Sequence, residues 1–231
     1  MSNRKRTVGV IGGMGPAATL DFARTVMAVS GATRDDDHIP LLIDNNTQIP
    51  NRQAALLGNG PSPGPAIAQT GLRLEAAGAE VLVMPCNTAH AFVDDLLAVV
   101  STPFISIIDV TIDACRGYRK VGILATAGCL AFGGYQRAMV TSELKPVVPD
   151  DEGIRALSAL VVQIKTGNIG DSERENMLAH IQSLHKRGCD AVISACTEIP
   201  LALGDAPLPC PMICSTTELA VATIRYAKGE R

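Results

Sequence analysis

The chain has 231 residues, 47% of them hydrophobic, 19% charged and 3% aromatic, with 21 Gly, 14 Pro and no Trp, which excludes a disordered or fibrous protein and leaves one large domain or two compact ones. Lys and Arg number 20 against 23 Asp and Glu, a net charge of −3. With few aromatic rings and one short basic run, Arg4-Lys5-Arg6, the chain lacks the phosphate-tracking stripe that a nucleic-acid partner would need.

The opening apolar stretch, Val8 to Gly13, is too short and glycine-broken for a secretory signal, and no apolar run approaches the roughly 18–20 residues of a membrane span. A cytoplasmic chain that stays off membranes is expected. The seven cysteines, at 86, 115, 129, 189, 196, 210 and 214, are an odd number, so reduced thiols are expected in place of a disulfide framework.

In chain order, short aliphatic and β-branched runs alternate with longer segments whose apolar residues return every three or four positions. The predicted strands are Val8–Ile11, Leu41–Ile43, Val81–Met84, Phe104–Ile107, Val121–Leu124, Val147–Val148, Ala191–Ser194 and Met212–Ile213. The predicted helices are Ala17–Val29, Pro65–Ala77, Ala91–Val99, Ile154–Lys165, Ser172–Arg187 and Thr217–Ala227. This alternation predicts an α/β fold with mainly parallel sheet. The Gly- and Pro-rich stretch from Gly58 to Pro65 reads as a surface loop.

The chain also repeats itself. Arg6-Thr7-Val8-Gly9-Val10-Ile11 returns as Arg119-Lys120-Val121-Gly122-Ile123-Leu124, and Gly78 to Cys86 returns as Gly188 to Cys196. Pro103-Phe104-Ile105 returns as Pro211-Met212-Ile213, all in one order at offsets of roughly 110 residues. The expectation is two similar parallel-sheet α/β units related by a pseudo-two-fold axis, residues 1–112 and 113–215, with the last helix, about 216–231, packing on the first.

Cys86 and Cys196 fall at equivalent points of the repeat, just past the carboxyl end of a strand where ligands bind in open α/β sheets. Exposed backbone N–H groups at such a place favour thiolate over thiol. Two such thiols across one cleft would suit moving a proton off one face of a carbon and onto the other. Cys115, Cys129, Cys189, Cys210 and Cys214 read as structural, and the spacing from Cys210 to Cys214 lacks the partners of a zinc site.

Three stretches in this order, Ile11-Gly12-Gly13-Met14-Gly15-Pro16-Ala17-Ala18-Thr19, Pro85-Cys86-Asn87-Thr88-Ala89-His90 and Ala195-Cys196-Thr197-Glu198-Ile199-Pro200-Leu201, resemble the aspartate/glutamate racemase family, its aspartate racemase branch most. Weaker matches at Gln48-Ile49-Pro50-Asn51-Arg52, Leu124-Ala125-Thr126 with Tyr135, and Ile164-Lys165-Thr166-Gly167 extend the similarity along most of the chain. The resemblance implies racemisation of aspartate, or of glutamate, without pyridoxal phosphate or metal. One thiolate removes the α-proton and a thiol reprotonates the opposite face. It implies Cys86 and Cys196 as the acid/base pair, Arg52 and Lys165 as carboxylate binders, and Met14 and Thr126 in the substrate pocket. A homodimer is also implied.

A dicarboxylic amino acid needs fixed cations, and Arg can hold a carboxylate through two hydrogen bonds. Asn87 and Thr88 after the first thiol, and Thr197 and Glu198 after the second, can bind polar groups of a substrate or cap the helix that follows. His90, one helical turn past Cys86, reads either as a proton carrier or as a hydrogen-bonded core histidine.

Of three departures from the usual family pattern, the first favours the aspartate branch and the other two bear on side-chain selectivity. Glu198 stands where glutamate racemases carry a His, Asn51 where an Asp is commoner before the Arg, and Cys129 where Thr is commoner.

Rival functions also fit parts of the sequence. Gly13-Met14-Gly15-Pro16-Ala17-Ala18 matches a dinucleotide-binding G-x-G-x-x-A turn with Asp35 downstream, although Pro16 removes an N–H that should face a pyrophosphate. A related isomerase or decarboxylase acting on another small acid, and a non-catalytic small-acid binding module, are the remaining alternatives.

Overall fold

The computed structural model describes residues 4–165 and 169–230, the side chain of Lys165 excepted. Two compact units divide the chain: Met1–Val110 with Thr216–Arg231, and Thr111–Ser215.

The first unit holds the parallel strands β1 (Val8–Ile11), β2 (Leu41–Asp44), β3 (Val81–Val83) and β4 (Phe104–Ile105) in the order β2-β1-β3-β4. The second holds β5 (Lys120–Leu124), β6 (Lys145–Val147), β7 (Ala191–Ser194) and β8 (Met212–Cys214) in the order β6-β5-β7-β8. The two orders are the same order, and every pairing is parallel. The central strands β1, β3 and β7 are buried along their whole length. Continuous apolar runs without alternation are what a parallel sheet covered on both faces demands.

The repeat extends to packing detail. Gly9 pairs with Leu82, and Gly122 with Val192. The helix Gly64–Ala76 lies against β1, and the helix Asp171–Lys186 against β5. An added Cβ at Gly9 would lie 2.7 Å from Leu82 Cδ2 and 2.8 Å from Ala79 Cβ; one at Gly122 would lie 2.8 Å from Leu184 Cδ1 and 3.0 Å from Val192 Cγ1. Each glycine therefore lets a helix settle close on its sheet. The final helix, Ser215–Lys228, is tied into the first unit, where the Arg6 N–H donates to Ala227 O at 2.9 Å and Lys228 Nζ to Ser30 O at 3.2 Å.

Three expectations need correction. The run Phe104–Ile107 is not one strand: β4 stops at Ile105 and a helix spans Ile107–Ala114. Ser106 forces the change, its Oγ accepting from Asp109 N–H at 3.3 Å and its carbonyl from Val110 N–H at 3.2 Å, so that it caps a helix inside an apolar run. The segment Ala91–Val99 divides into a 3-10 turn at Thr88–Phe92 and a helix at Val93–Leu97. Short helices at Arg52–Leu56, Ala127–Phe132, Gly134–Thr141 and Glu198–Leu203 were absent from the periodicity. Among the described residues no helix is long and apolar enough to cross a membrane.

Candidate active site

In the first unit, β3 runs through Met84 and Pro85 into Cys86, where the chain turns into Thr88–Phe92. The Cys86 N–H donates to Met84 O at 2.8 Å, and its carbonyl accepts from Ala89 N–H at 3.2 Å. The same carbonyl lies 3.0 Å from Nδ1 of buried His90, whose Nε2 accepts from Ile107 N–H at 3.2 Å. A carbonyl only accepts and an amide N–H only donates, so the proton is on Nδ1 and the ring is neutral. Burial holds the His90 pKa down to about 4, against the opposing pull of the Cys86 carbonyl. With both nitrogens engaged, His90 is the hydrogen-bonded core histidine and fixes the turn that presents the thiol. Cys86 itself is half-buried, Asn87 is buried and Thr88 half-buried.

Cys86 packs on an apolar cluster that includes Met14, Ile49 and Met84. The end of β1, the loop after β2 and the first thiol therefore meet at one end of the sheet. Asn46 shapes that loop: its Oδ1 accepts from Gln48 N–H at 3.1 Å, while its Nδ2 donates to Thr70 Oγ1 at 3.0 Å. Asn51 caps the helix Arg52–Leu56, its Oδ1 accepting from the N–H groups of Gln53 and Ala54, each at 3.0 Å. Asn and Asp cap equally well, which gives the Asn at this position a structural role.

The Arg52 helix packs against Thr88–Phe92. Arg52 Nη1 donates to Ile49 O at 3.3 Å and Pro50 O at 3.0 Å, and its buried Nε has no hydrogen-bond partner among the described residues. No ion pair involves Arg52 among the described residues. A guanidinium aimed by carbonyls and lacking an anion is suited to receive one. Asp44, by contrast, is committed to Arg73, 2.7 Å away.

In the second unit, β7 ends at Ser194 and delivers Cys196, which is 8% exposed, ahead of the helix Glu198–Leu203. Ser215 Oγ donates to Ser194 O at 2.9 Å and Ser194 Oγ to Cys196 O at 3.2 Å, so two hydroxyls hold the turn as His90 does in the first unit. The Cys196 thiol donates to Glu198 Oε2 at 2.9 Å, and Thr197 Oγ1 donates to the same oxygen at 3.0 Å. Thr126 stands past the end of the adjacent strand β5 and caps Ala127–Phe132, accepting from Cys129 N–H at 3.3 Å.

Lys165 closes the helix Asp151–Lys165. Its side chain, together with Thr166 and Gly167, lies outside the described residues.

Three of the other cysteines, Cys115, Cys189 and Cys210, are buried. Cys115 donates to Thr111 O at 3.2 Å, and burial pushes the thiols of Cys189 and Cys210 up. Among the described residues no group of three or more His, Cys, Asp or Glu could hold a metal ion. The dinucleotide motif fares poorly. Pro16 opens the helix Pro16–Val29, and Asp35 sits in a 3-10 turn ahead of β2, whereas a ribose-binding acid belongs past that strand's end.

The family model described as Asp/Glu/hydantoin racemase matches residues 11–223. The chain belongs to this family. It is 26% identical over 225 residues to the broad specificity amino-acid racemase RacX of Bacillus subtilis (strain 168), covering 94% of this chain and 96% of that one. It is similar to the Picrophilus torridus aspartate racemase structure, with 30% identity, a TM-score of 0.86, and coverage of 98% of this chain and 95% of that one. A glutamate racemase from Francisella tularensis subsp. tularensis SCHU S4, solved with D-glutamate, shares the fold at 18% identity and a TM-score of 0.66, with 98% and 82% of the two chains covered. The protein is a racemase of this family, and its paired parallel sheets are the family's architecture.

Proposed function

We propose that the protein interconverts the enantiomers of an acidic amino acid, aspartate first and glutamate second, without pyridoxal phosphate or metal, using Cys86 and Cys196 as its two bases. One thiolate takes the α-proton, the carbanion forms, and the thiol of the other cysteine gives a proton to the opposite face. The enzyme ends with thiol and thiolate exchanged, and no net proton is gained or lost. The observation that carries this reading is the repeat itself: both thiols follow the same strand of the same sheet order, β3 and β7.

An α-proton beside a carboxylate is hard to remove, so the site must offset developing negative charge. Arg52, whose guanidinium has no ion-pair partner among the described residues, serves as the carboxylate binder, and Lys165 is its proposed counterpart. Asn87, Thr88, Thr126 and Thr197 supply further polar contacts, and Met14 an apolar wall. The names of RacX and of the Picrophilus enzyme support an amino-acid substrate, the latter aspartate. A reduced cytoplasmic setting suits two catalytic thiols, and a homodimer is proposed on the family resemblance, to be read by sedimentation.

The test is α-proton exchange in deuterated water across a panel of amino acids, after exhaustive removal of pyridoxal phosphate and metals. Racemisation with deuterium uptake confined to acidic substrates is expected. Dependence on either removed component, or preference for a neutral or basic amino acid, would overturn the proposal.

A further inference from the structure

The two strand-end thiols are equivalent by position and unequal by surroundings. Two residues past Cys86 the chain carries Thr88; two residues past Cys196 it carries Glu198. Glu198 turns its carboxylate back onto the thiol, and one oxygen, Oε2, accepts from both Cys196 Sγ and Thr197 Oγ1. The Thr197 hydroxyl fixes that oxygen in place, so the contact is built from two sides.

A carboxylate oxygen offers only lone pairs, so the shared proton belongs to sulfur. Deprotonating Cys196 would break this hydrogen bond and leave two anions facing each other, both of which favour the thiol form. Cys189 and Cys210 share the apolar cluster of Cys196 and are pushed up by burial, and the charges of Lys120, Arg187 and Asp190 bear on Cys189.

We infer that Glu198 is a positioning residue that holds Cys196 as the protonated thiol of the resting enzyme. This deepens the two-thiol proposal and rests on it. A two-base racemase is active only while one thiol is ionised and the other is not, and two identical thiols would populate that state over a narrow pH span. Pushing their titrations apart widens the span. Glu198 does so by raising the alkaline limit, the pH at which the acid partner is lost.

Because the equilibrium constant of racemisation is unity, kcat/KM is the same from either enantiomer at every pH. The signature is therefore a change in the shape of one shared pH profile. In E198Q the alkaline limb of kcat/KM should move to lower pH by about one pH unit or more, equally for both enantiomers, with the acid limb in place. E198D, which keeps the charge on a shorter arm, should restore part of the alkaline limb.

The direct measurement is the ultraviolet absorbance of the thiolate as pH is raised, taken as the difference between the enzyme and its C196S form, with Glu, Gln or Asp at position 198. Expected is a Cys196-dependent midpoint that falls in E198Q and recovers partly in E198D. A midpoint unmoved or raised in E198Q, or E198D behaving as E198Q, overturns the inference. Failure of the two-thiol proposal looks different: C196S would then racemise at the parent rate whatever the absorbance titration showed.

Discussion

The Nδ1–H of His90 donates to the carbonyl of Cys86 across 3.0 Å, so a residue one turn along fixes the main chain that carries the first thiol. Replacing His90 by Phe keeps a ring beside Phe104, whose centroid lies 5.5 Å away, and removes both hydrogen bonds. Ile107 N–H then has no acceptor on that ring, and the Cys86 carbonyl loses one of its two donors. The expected loss is about 1–3 kcal/mol of stability, with kcat falling more than KM rises, as the thiol loses its aim. Urea unfolding and steady-state kinetics on the one variant check both.

The same residue gives a pH dependence with a definite sign. His90 titrates at an ordinary 6.5 when unfolded and at about 4 when folded, so between those values the unfolded chain binds a proton that the native one does not. Stability therefore falls as pH drops from about 6.5 toward 4, and His90 contributes nothing to the slope above that window. His180, also held below its ordinary value by burial, adds a component that stays in the His90→Phe variant. Unfolding free energies at several pH values should show a shallower acid slope in that variant than in the parent; equal slopes would count against a neutral buried ring.

The two cysteines are tested one at a time. Cys86→Ser and Cys196→Ser should each nearly abolish racemisation, since a hydroxyl is far too weak a base at neutral pH, while fold and substrate binding persist. The cysteine left in each variant can still serve one face once it is ionised. Elimination from a substrate with a β-leaving group should then survive for one enantiomer only, with opposite preference in the two variants. Cys115→Ser and Cys214→Ser are the controls and should keep activity. Near-parent racemisation by either strand-end variant would assign the chemistry to other residues.

Arg52 carries a prediction about substrate. Its guanidinium is aimed by the Ile49 and Pro50 carbonyls, so Arg52→Lys keeps the charge and loses the planar fork. KM for the acidic substrate should rise in Arg52→Lys and rise further in Arg52→Ala, with urea stability changed far less. One charge-assisted contact is worth about 1.5–3 kcal/mol, a factor of roughly ten to a hundred or more in affinity. An unchanged KM in Arg52→Ala would remove Arg52 from the site.

Much of the fold was legible because its signals are local. β1 and β7 are fully buried, mainly apolar runs found at their predicted bounds, and the repeat shows as aligned residues, Gly9 with Gly122 among them. What escaped was set by side chains acting on the backbone. Ser106 stops β4 and starts a helix within an apolar stretch, and Asn51 caps a helix only five residues long, too short for periodicity. The supports of the thiols were equally hidden. Ile107 reaches His90 and Ser215 reaches Ser194 across 17 and 21 positions of sequence, distances over which no pattern of residue types announces a hydrogen bond.

Gly9 and Gly122 test the repeat as a packing unit. Neither needs glycine for its backbone angles; each needs it for room between strand and helix. A methyl group at Gly122 comes closest to Leu184 Cδ1 at 2.8 Å, the far end of a side chain that can turn aside, with Val192 Cγ1 at 3.0 Å and Leu184 Cβ at 3.2 Å behind it. At Gly9 it also meets the Ala79 Cβ at 2.8 Å, which moves only if the backbone moves. Gly9→Ala should therefore cost more than Gly122→Ala, with both inside the roughly 1–3 kcal/mol typical of overpacking a core. For a chain of this size each kcal/mol lowers Tm by about 2–4 °C. Trimming the flexible neighbour separates the two cases: Leu184→Ala added to Gly122→Ala should cost less than the sum of the single changes, because the cavity one creates takes the methyl of the other. Leu82→Ala added to Gly9→Ala should recover less, since Ala79 still blocks the site. Equal recovery at both positions would mean that the contact with Ala79 is not what limits the first sheet.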